Sequence, residues 1–206
     1  MSPRCETLKS GLKVMLAPCE AESIAVGVFI ASGSRHESAE TAGISHFIEH
    51  MLFKGTPTRK AQDLTLAIEG RGGNFNAFTG EELTCYYCHM PNECLKEAVD
   101  ILSDMYLRAT IPQDEFEREK AVVIEEIKMY ADDPESVAME NLQKNLFPGS
   151  QLGEPVAGSA ESLTPMKRGD LRRYIKERYL PFKTAVVITG SFDTESALAE
   201  VRKRFA

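Results

Sequence analysis

The chain has 206 residues, of which 43% are hydrophobic and 27% are charged, with a formal net charge of −7. This length and composition predict a soluble globular protein, of one large domain or two small ones, that is long enough to bury its own core. The acidic balance argues against nucleic acid as a partner, and no apolar run is long enough to insert into a membrane.

Hydrophobic periodicity and turn residues predict both helices and strands along the chain. The predicted strands are 12–17, 24–32, 74–79, 83–90 and 184–190, and the predicted helices are 43–53, 60–71, 92–109, 112–131, 135–146, 170–179 and 194–205. The strands come in hairpin-like pairs separated by groups of helices. The predicted fold class is therefore α+β, with a largely antiparallel sheet packed with helices.

The first predicted helix carries the motif that the rest of the chain is expected to serve. His46, Glu49 and His50 are spaced i, i+3, i+4, so two imidazoles and a carboxylate share one helix face. Most of the remaining circumference is apolar, which predicts a buried helix. Thr41 is predicted to cap its start, and Gly55 to take the left-handed position just after its end. Two imidazoles four residues apart can chelate one zinc ion, with the carboxylate placed to act on a bound water.

Two other interpretations of the potential ligands remain to be weighed. H-x-x-E-H inverts the H-E-x-x-H motif of zinc peptidases, but it could instead form a buried hydrogen-bonded cluster without metal. Cys85 and Cys88 form a second pair with metal-ligand spacing. They lie in a predicted strand, where residues three apart point to opposite faces, so we expect buried thiols rather than a shared ligand set.

A third ligand is expected on the predicted helix 112–131. Glu119 and Glu126 lie seven residues apart in an apolar stripe, where a carboxylate is costly unless it is paired or bound to metal. Glu126 would complete a His2Glu set and leave one zinc position for water. Glu119 would orient His50 or help to move protons. Spacing alone leaves Glu125 open as the ligand, because it lies about 100° around the helix.

With these residues in place, the chain resembles the pitrilysin-type zinc peptidases, which include insulin-degrading enzyme and the mitochondrial processing peptidase. The matching segments are 43–56 with HFIEH at 46–50, 72–79 with GGNFNAFT, and 119–126. The resemblance covers essentially the whole chain and is closest to the bacterial relatives of the processing-peptidase subunits. It implies Zn²⁺ as the cofactor, Glu126 as the distal ligand and Glu119 as an acidic helper in catalysis.

The resemblance also assigns a role to the predicted strand 74–79. In such enzymes an extended substrate peptide adds to this edge strand, with Asn76, Ala77 and Phe78 nearest the scissile bond. Main-chain hydrogen bonds hold such a peptide with little regard to its side chains. An ordinary hairpin strand is the alternative.

Members of this family normally carry a second half of similar fold, which closes over the site. Residues 1–206 are therefore expected to form a single zinc-peptidase domain, the N-terminal catalytic half, with the second half absent from this chain. The expected partners are a peptide substrate and a second homologous half or partner subunit, with a homodimer as another arrangement. Five scattered cysteines suggest free thiols in a reducing compartment, and the bacterial cytoplasm is preferred to the mitochondrial matrix.

The sequence thus predicts a zinc metalloendopeptidase domain that hydrolyses extended peptides. Glu49 would act as general base on a zinc-bound water and then pass the proton to the leaving amine. The alternative function is a metal-bearing, peptide-binding or assembly half that is inactive without its partner.

Overall fold

Helices cover one face of a six-stranded sheet in the computed structural model, which describes residues 2–205. The strands are β1 Arg4–Thr7, β2 Lys13–Pro18, β3 Ser23–Ile30, β4 Asn74–Thr79, β5 Thr84–Pro91 and β6 Thr184–Gly190. The helices are α1 Ile44–Leu52, α2 Ala61–Glu69, α3 Leu95–Arg108, α4 Gln113–Asp132, α5 Pro134–Leu146, α6 Ala160–Leu163, α7 Arg168–Arg178 and α8 Thr194–Arg204. The short β1 and α6 were not predicted from the sequence.

The strand order across the sheet is β1-β2-β6-β3-β5-β4. Four of the five neighbouring pairs are antiparallel, and only β2 and β6 run parallel. The predicted class, a largely antiparallel sheet packed with helices, is confirmed.

The predicted pairing of successive strands is wrong at β2 and β3. These two strands do not pair, because β6 lies between them and bonds to both. A gap of one strand is about 9.6 Å wide, which the four residues 19–22 can span. A short link between two strands therefore did not imply a hairpin.

The two faces of the sheet differ sharply in burial. α1, α3 and α8 pack on one face. The strand side chains that point toward these helices are almost completely buried, and they include Val14, Leu16, Val26, Val28, Tyr86, Cys88, Val186 and Ile188. Alternate residues point the other way, and among them Lys13, Met15, Phe78 and Thr189 are exposed. This period of two is that of a sheet with one packed face.

The start of α1 differs from its prediction. The N-cap is Gly43, with a left-handed φ of 88° and no side-chain cap of its own. Thr41 instead lies in a short 3-10 turn and bonds to Ser38. The backbone N–H groups of Gly43 and Ser45 donate to the carboxylate of Glu37. Beyond the other end of the helix, Gly55 has the expected positive φ, 117°. It lies two residues after the C-cap Phe53, one residue farther from the helix than predicted.

A buried carboxylate ties the segment after α1 to α3. The side chain of Asp104 is fully buried and accepts hydrogen bonds from the hydroxyls of Thr56 and Thr58, at 2.8 and 3.0 Å. It also pairs with Arg59 at 2.5 Å and with Arg108 at 2.7 Å. Burial would raise the pKa of Asp104, but the bonds from Thr56 and Arg59 outweigh it, so the pKa lies below its usual value.

Asp104→Asn is therefore expected to destabilise the metal-free chain at pH 7 by about 2–3 kcal/mol. The effect is smaller than the roughly 3–5 kcal/mol of a fully buried ion pair, because both arginines keep contact with water. Since its folded pKa is lowered, Asp104 stabilises the fold above its unfolded pKa of about 3.9, and this contribution is lost as the pH falls through the folded pKa. Urea unfolding from pH 7 down to pH 3 measures both effects, with the exposed Asp132→Asn as control. Equal stability of the two variants at pH 7 would contradict the assignment.

Candidate metal centre

α1 packs against α4, and this contact brings the two predicted parts of the site together. The Nε2 atoms of His46 and His50 lie 3.3 Å apart. One carboxylate oxygen of Glu126 lies 3.4 Å from the His50 Nε2, and the other lies 3.9 Å from the His46 Nε2. Among residues 2–205, these three form the one group of His, Cys, Asp or Glu side chains whose potential ligand atoms lie within 4.8 Å of one another.

The two imidazoles of this cluster differ in how readily they hold a proton. Burial and the neighbouring His50 lower the pKa of His46 to about 4, so His46 is neutral at pH 7. The Nδ1–H of His50 donates to Glu119 at 2.9 Å, which leaves the lone pair of neutral His50 on Nε2. In the neutral form of His50, two ring nitrogens and a carboxylate thus converge on one small volume as acceptors.

The donor set fits a zinc ion. Zinc holds nitrogen and oxygen ligands at about 2.0–2.1 Å in tetrahedral geometry, which sets neighbouring ligand atoms about 3.3–3.4 Å apart. The distances of 3.3 Å between His46 and His50 and 3.4 Å between His50 and Glu126 match this spacing. The remaining distance, 3.9 Å, is a few tenths of an ångström longer.

Glu119 holds His50 from the side away from the cluster. One oxygen accepts from the His50 ring, and the other pairs with Lys54 at 2.6 Å. Burial alone would raise the pKa of Glu119, but the hydrogen bonds from His50 and Lys54 lower it overall. Burial would likewise lower the pKa of His50, yet the bond to Glu119 and the charge of Glu126 raise it. Glu119 thus fixes both the tautomer and the orientation of His50.

Glu49 lies on the same helix face and is held by the sheet. The hydroxyl of Thr79, the last residue of β4, donates to its carboxylate at 2.5 Å. Burial raises the pKa of Glu49, while the Thr79 bond and the charge of His50 oppose the increase. A carboxyl whose proton affinity is raised in this way is suited to accept and return a proton. Spacing along the chain does not identify Thr79 as a partner of Glu49, because the two residues are 30 positions apart.

Between the two candidates left open on α4, the structure brings only Glu126 to the imidazoles. Glu125 is exposed and pairs with Lys128 at 2.7 Å. Glu126 accepts a hydrogen bond of 2.8 Å from the hydroxyl of Tyr130, which raises the pKa of Tyr130 to about 12. Tyr130 was not predicted as a partner of Glu126, although their i, i+4 spacing on one helix allows the contact.

The segment predicted to bind substrate lies on the edge strand β4, next to the cluster. Asn76 and Phe78 are exposed on the outward face, whereas Ala77 is half-buried on the inward face. β4 pairs with β5 on one side, and within residues 2–205 no strand pairs with its other side. The Thr79 bond to Glu49 places the end of this free edge against α1.

A cavity of about 310 Å³, not expected from the sequence, opens beside His46. Its walls come from three directions, namely Thr79 at the end of β4, Met139 and Gln143 on α5, and Val156 in the loop that follows α5. The sequence predicted a helix at 135–146 but not which of its residues border the cluster. The packing of α4 against α5 determines those residues.

Cys85 and Cys88 are both buried, as expected, and burial raises the pKa of each thiol to about 12. Neither belongs to a cluster of potential ligands in the part of the chain that the structure describes. None of the helices described between residues 2 and 205 has the length and apolar character needed to span a membrane.

Two imidazoles and a carboxylate can bind a catalytic metal, and a further carboxylate beside them can act on a water. In a mixed helix-and-sheet domain, this set of side chains is that of a metallopeptidase. Comparison with known proteins agrees, because residues 13–160 match the family described as Insulinase (Peptidase family M16). The chain belongs to this peptidase family, and the predicted resemblance is confirmed.

Several relatives align with nearly all of this chain. It is 42% identical over 206 residues to an uncharacterized zinc protease of Mycobacterium tuberculosis, covering 100% of this chain and 47% of that protein. It is 34% identical over 203 residues to a probable mitochondrial-processing peptidase subunit beta of Arabidopsis thaliana, covering 98% of this chain and 38% of the relative. The chain thus spans half or less of the length of these relatives.

A protease from Helicobacter pylori shares the fold. The two superpose with a TM-score of 0.95 at 24% identity, over 99% of this chain and 50% of the other. At this level of identity the likeness establishes the architecture alone, and the chemistry must be argued from the residues of the cluster.

Proposed function

We propose that this chain is the catalytic domain of a zinc endopeptidase that hydrolyses extended peptides. His46, His50 and Glu126 bind the zinc, and Glu49 is the general base. The convergence of two imidazole nitrogens and a carboxylate at 3.3–3.9 Å is the observation that carries this proposal. The names of relatives described as zinc proteases support the choice of metal.

Zinc, when bound, supplies a Lewis acid that polarises the peptide carbonyl and makes water a stronger acid. Glu49 accepts the proton of the attacking water and delivers it to the nitrogen of the leaving amine. Thr79 holds Glu49 in place, and its hydroxyl bond to one oxygen leaves the other oxygen to handle the proton. Glu119 keeps the lone pair of His50 on Nε2, which faces His46 and Glu126.

The substrate peptide binds as an added strand along β4. The free edge of β4 offers backbone N–H and C=O groups that can pair with any extended peptide. Asn76, Ala77 and Phe78 then lie along the bound peptide, and Thr79 connects this strand to Glu49. Side-chain preference would come from surfaces such as the cavity beside His46.

A second half or partner subunit completes the site in this proposal. The zinc protease of Mycobacterium tuberculosis extends for about as many residues again as the part aligned here, and no strand within residues 2–205 pairs with the free edge of β4. A mobile peptide on an open site reacts slowly, because misplacement by about 1 Å can cost roughly 100-fold in rate. The second candidate function, a metal-bearing half that binds peptides and becomes active only on assembly, follows from the same openness.

The 206-residue chain alone is therefore expected to bind about one zinc ion, by analogy with other His2Glu sites, and to cleave peptides poorly. Adding the remaining half of the relatives' length as a separate chain should restore cleavage. Metal analysis and hydrolysis of an internally quenched extended peptide, with and without that second chain, test both statements. A chain that takes up no zinc would overturn the proposed site. Strong cleavage by the chain alone would show that the second half is dispensable.

A further inference from the structure

Glu37 is a buried carboxylate outside the metal cluster, and only 8% of its surface is exposed. Its two oxygens are both committed to the start of α1. One accepts from the backbone N–H of Gly43 at 2.7 Å and the other from the backbone N–H of Ser45 at 2.8 Å. Two N–H donors, one on each oxygen, favour the ionised carboxylate over the protonated acid, whose hydroxyl oxygen is a weaker acceptor.

These bonds hold the helical turn that carries His46. Gly43 has a left-handed φ and no side chain to cap the helix, so Glu37 replaces the missing cap from six residues upstream. His46 follows Ser45 directly, and its ring nitrogen Nδ1 has no hydrogen-bond partner among residues 2–205. Glu119 orients His50 through its Nδ1, whereas no residue in the described part of the chain does the same for His46. The direction of the His46 ring therefore depends on the backbone of this turn.

The surroundings of the turn leave it little freedom to adjust. The carbonyl oxygen of Ala157 would lie 2.4 Å from a Cβ at Gly43, so the two backbones are in close contact. The hydroxyl of Tyr174, on α7, lies 3.1 Å from the hydroxyl of Ser45. Packing thus limits how far the turn can move, and the hydrogen bonds to Glu37 stabilise its helical conformation.

Burial raises the pKa of Glu37 to about 7, against hydrogen bonds from Ser45 and Gly43 that favour the charged form. An ionised carboxylate at this place therefore costs folding free energy that a neutral residue would not. Such a residue is better explained by what it positions than by the stability that it adds.

We propose that Glu37 is a positioning residue for the metal site, which fixes the first turn of α1 and through it the direction of the His46 ring. This inference rests on the proposed zinc site. Partners that orient metal ligands typically change metal affinity by about 10–100-fold when they are removed, and Glu37 acts on a ligand in this indirect way.

Glu37→Gln tests the inference, because the amide keeps the shape but presents an N–H₂ to one of the two backbone donors. In the 206-residue chain, the variant should bind zinc about tenfold more weakly or worse. Its cobalt(II) complex should show an altered visible spectrum, and the ring signals of His46 in the metal-free NMR spectrum should move. Glu40→Gln is the matched control, since Glu40 is an exposed carboxylate in the same loop. Glu37→Asp keeps the charge but is shorter, so intermediate affinity is expected.

Zinc affinity of Glu37→Gln within twofold of the parent, with an unchanged cobalt spectrum, would reduce Glu37 to an ordinary helix cap and overturn the inference. If Glu37→Gln does not fold, Glu37→Asp supplies the same comparison. If the parent binds no zinc, the proposed function fails, and the NMR signals of the His46 ring alone test whether Glu37 positions that ring. Signals that move in the variant, while those of the remote His89 stay, support positioning, and unmoved His46 signals overturn it.

Discussion

Glu126→Gln is expected to lose zinc at concentrations where the parent chain is saturated, with an affinity reduced more than about 100-fold. Removing a direct ligand should exceed the roughly 10–100-fold cost of removing a residue that only orients one. The amide of Gln is neutral and a weaker ligand than a carboxylate. The two imidazoles alone are one short of the three protein ligands of a catalytic zinc site. Competition with a chromophoric chelator at fixed pH and ionic strength measures the change.

Glu125→Gln is the matched control, one residue away on α4 with the same change of charge. Glu125 is exposed and pairs with Lys128, so zinc affinity should stay within about twofold of the parent. The reverse pattern would transfer the ligand role to Glu125. Equal retention in both variants would remove α4 from the metal site altogether.

Glu49→Gln is expected to keep zinc and lose cleavage, measured in the assembly of the chain with the remaining half. Loss of a general base typically lowers the rate by about 10²–10⁴-fold, and the loss should be at the upper end where one group serves as base and then as acid. The amide can still accept the Thr79 hydrogen bond, so the geometry of α1 should be preserved.

Metal content separates the chemical role of Glu49 from a structural one. Glu49→Gln with full zinc and a rate near that of the parent would rule out Glu49 as the base. A variant that loses zinc together with activity would point to a role in binding the metal. Glu125→Gln again serves as the control for the change in net charge.

Local spacing was sufficient to find the parts of the site that lie within one helix. The i, i+3, i+4 pattern of His46, Glu49 and His50 predicted α1 to within a residue or two, because helical periodicity alone puts these side chains on one face. The choice of Glu126 over Glu125 was beyond spacing, since it depends on which side of α4 packs against α1. The resemblance to known peptidases, rather than periodicity, favoured Glu126.

Contacts between distant segments explain what the sequence could not predict. Glu37 and Thr79 are polar residues of ordinary loop and strand segments, and their partners on α1 are chosen by tertiary packing. Thr41 is a residue type that often caps helices, but the helix begins after Gly43, and Glu37 accepts the N–H bonds that a cap would accept. β1 has only four residues, too few for a clear alternating pattern.

The position of β6 has a consequence for how the chain folds. β6 lies between β2 and β3, although more than 150 residues separate it from either strand along the sequence. Until Thr184–Gly190 leaves the ribosome, the hairpin of β1 and β2 has no connection through the sheet to β3, β5 and β4. Nascent chains that end before this strand therefore expose the unpaired edges of β2 and β3, which can pair with strands of other chains. Closure by so distant a strand should make folding slow for a domain of this size and increase its need for chaperones during synthesis.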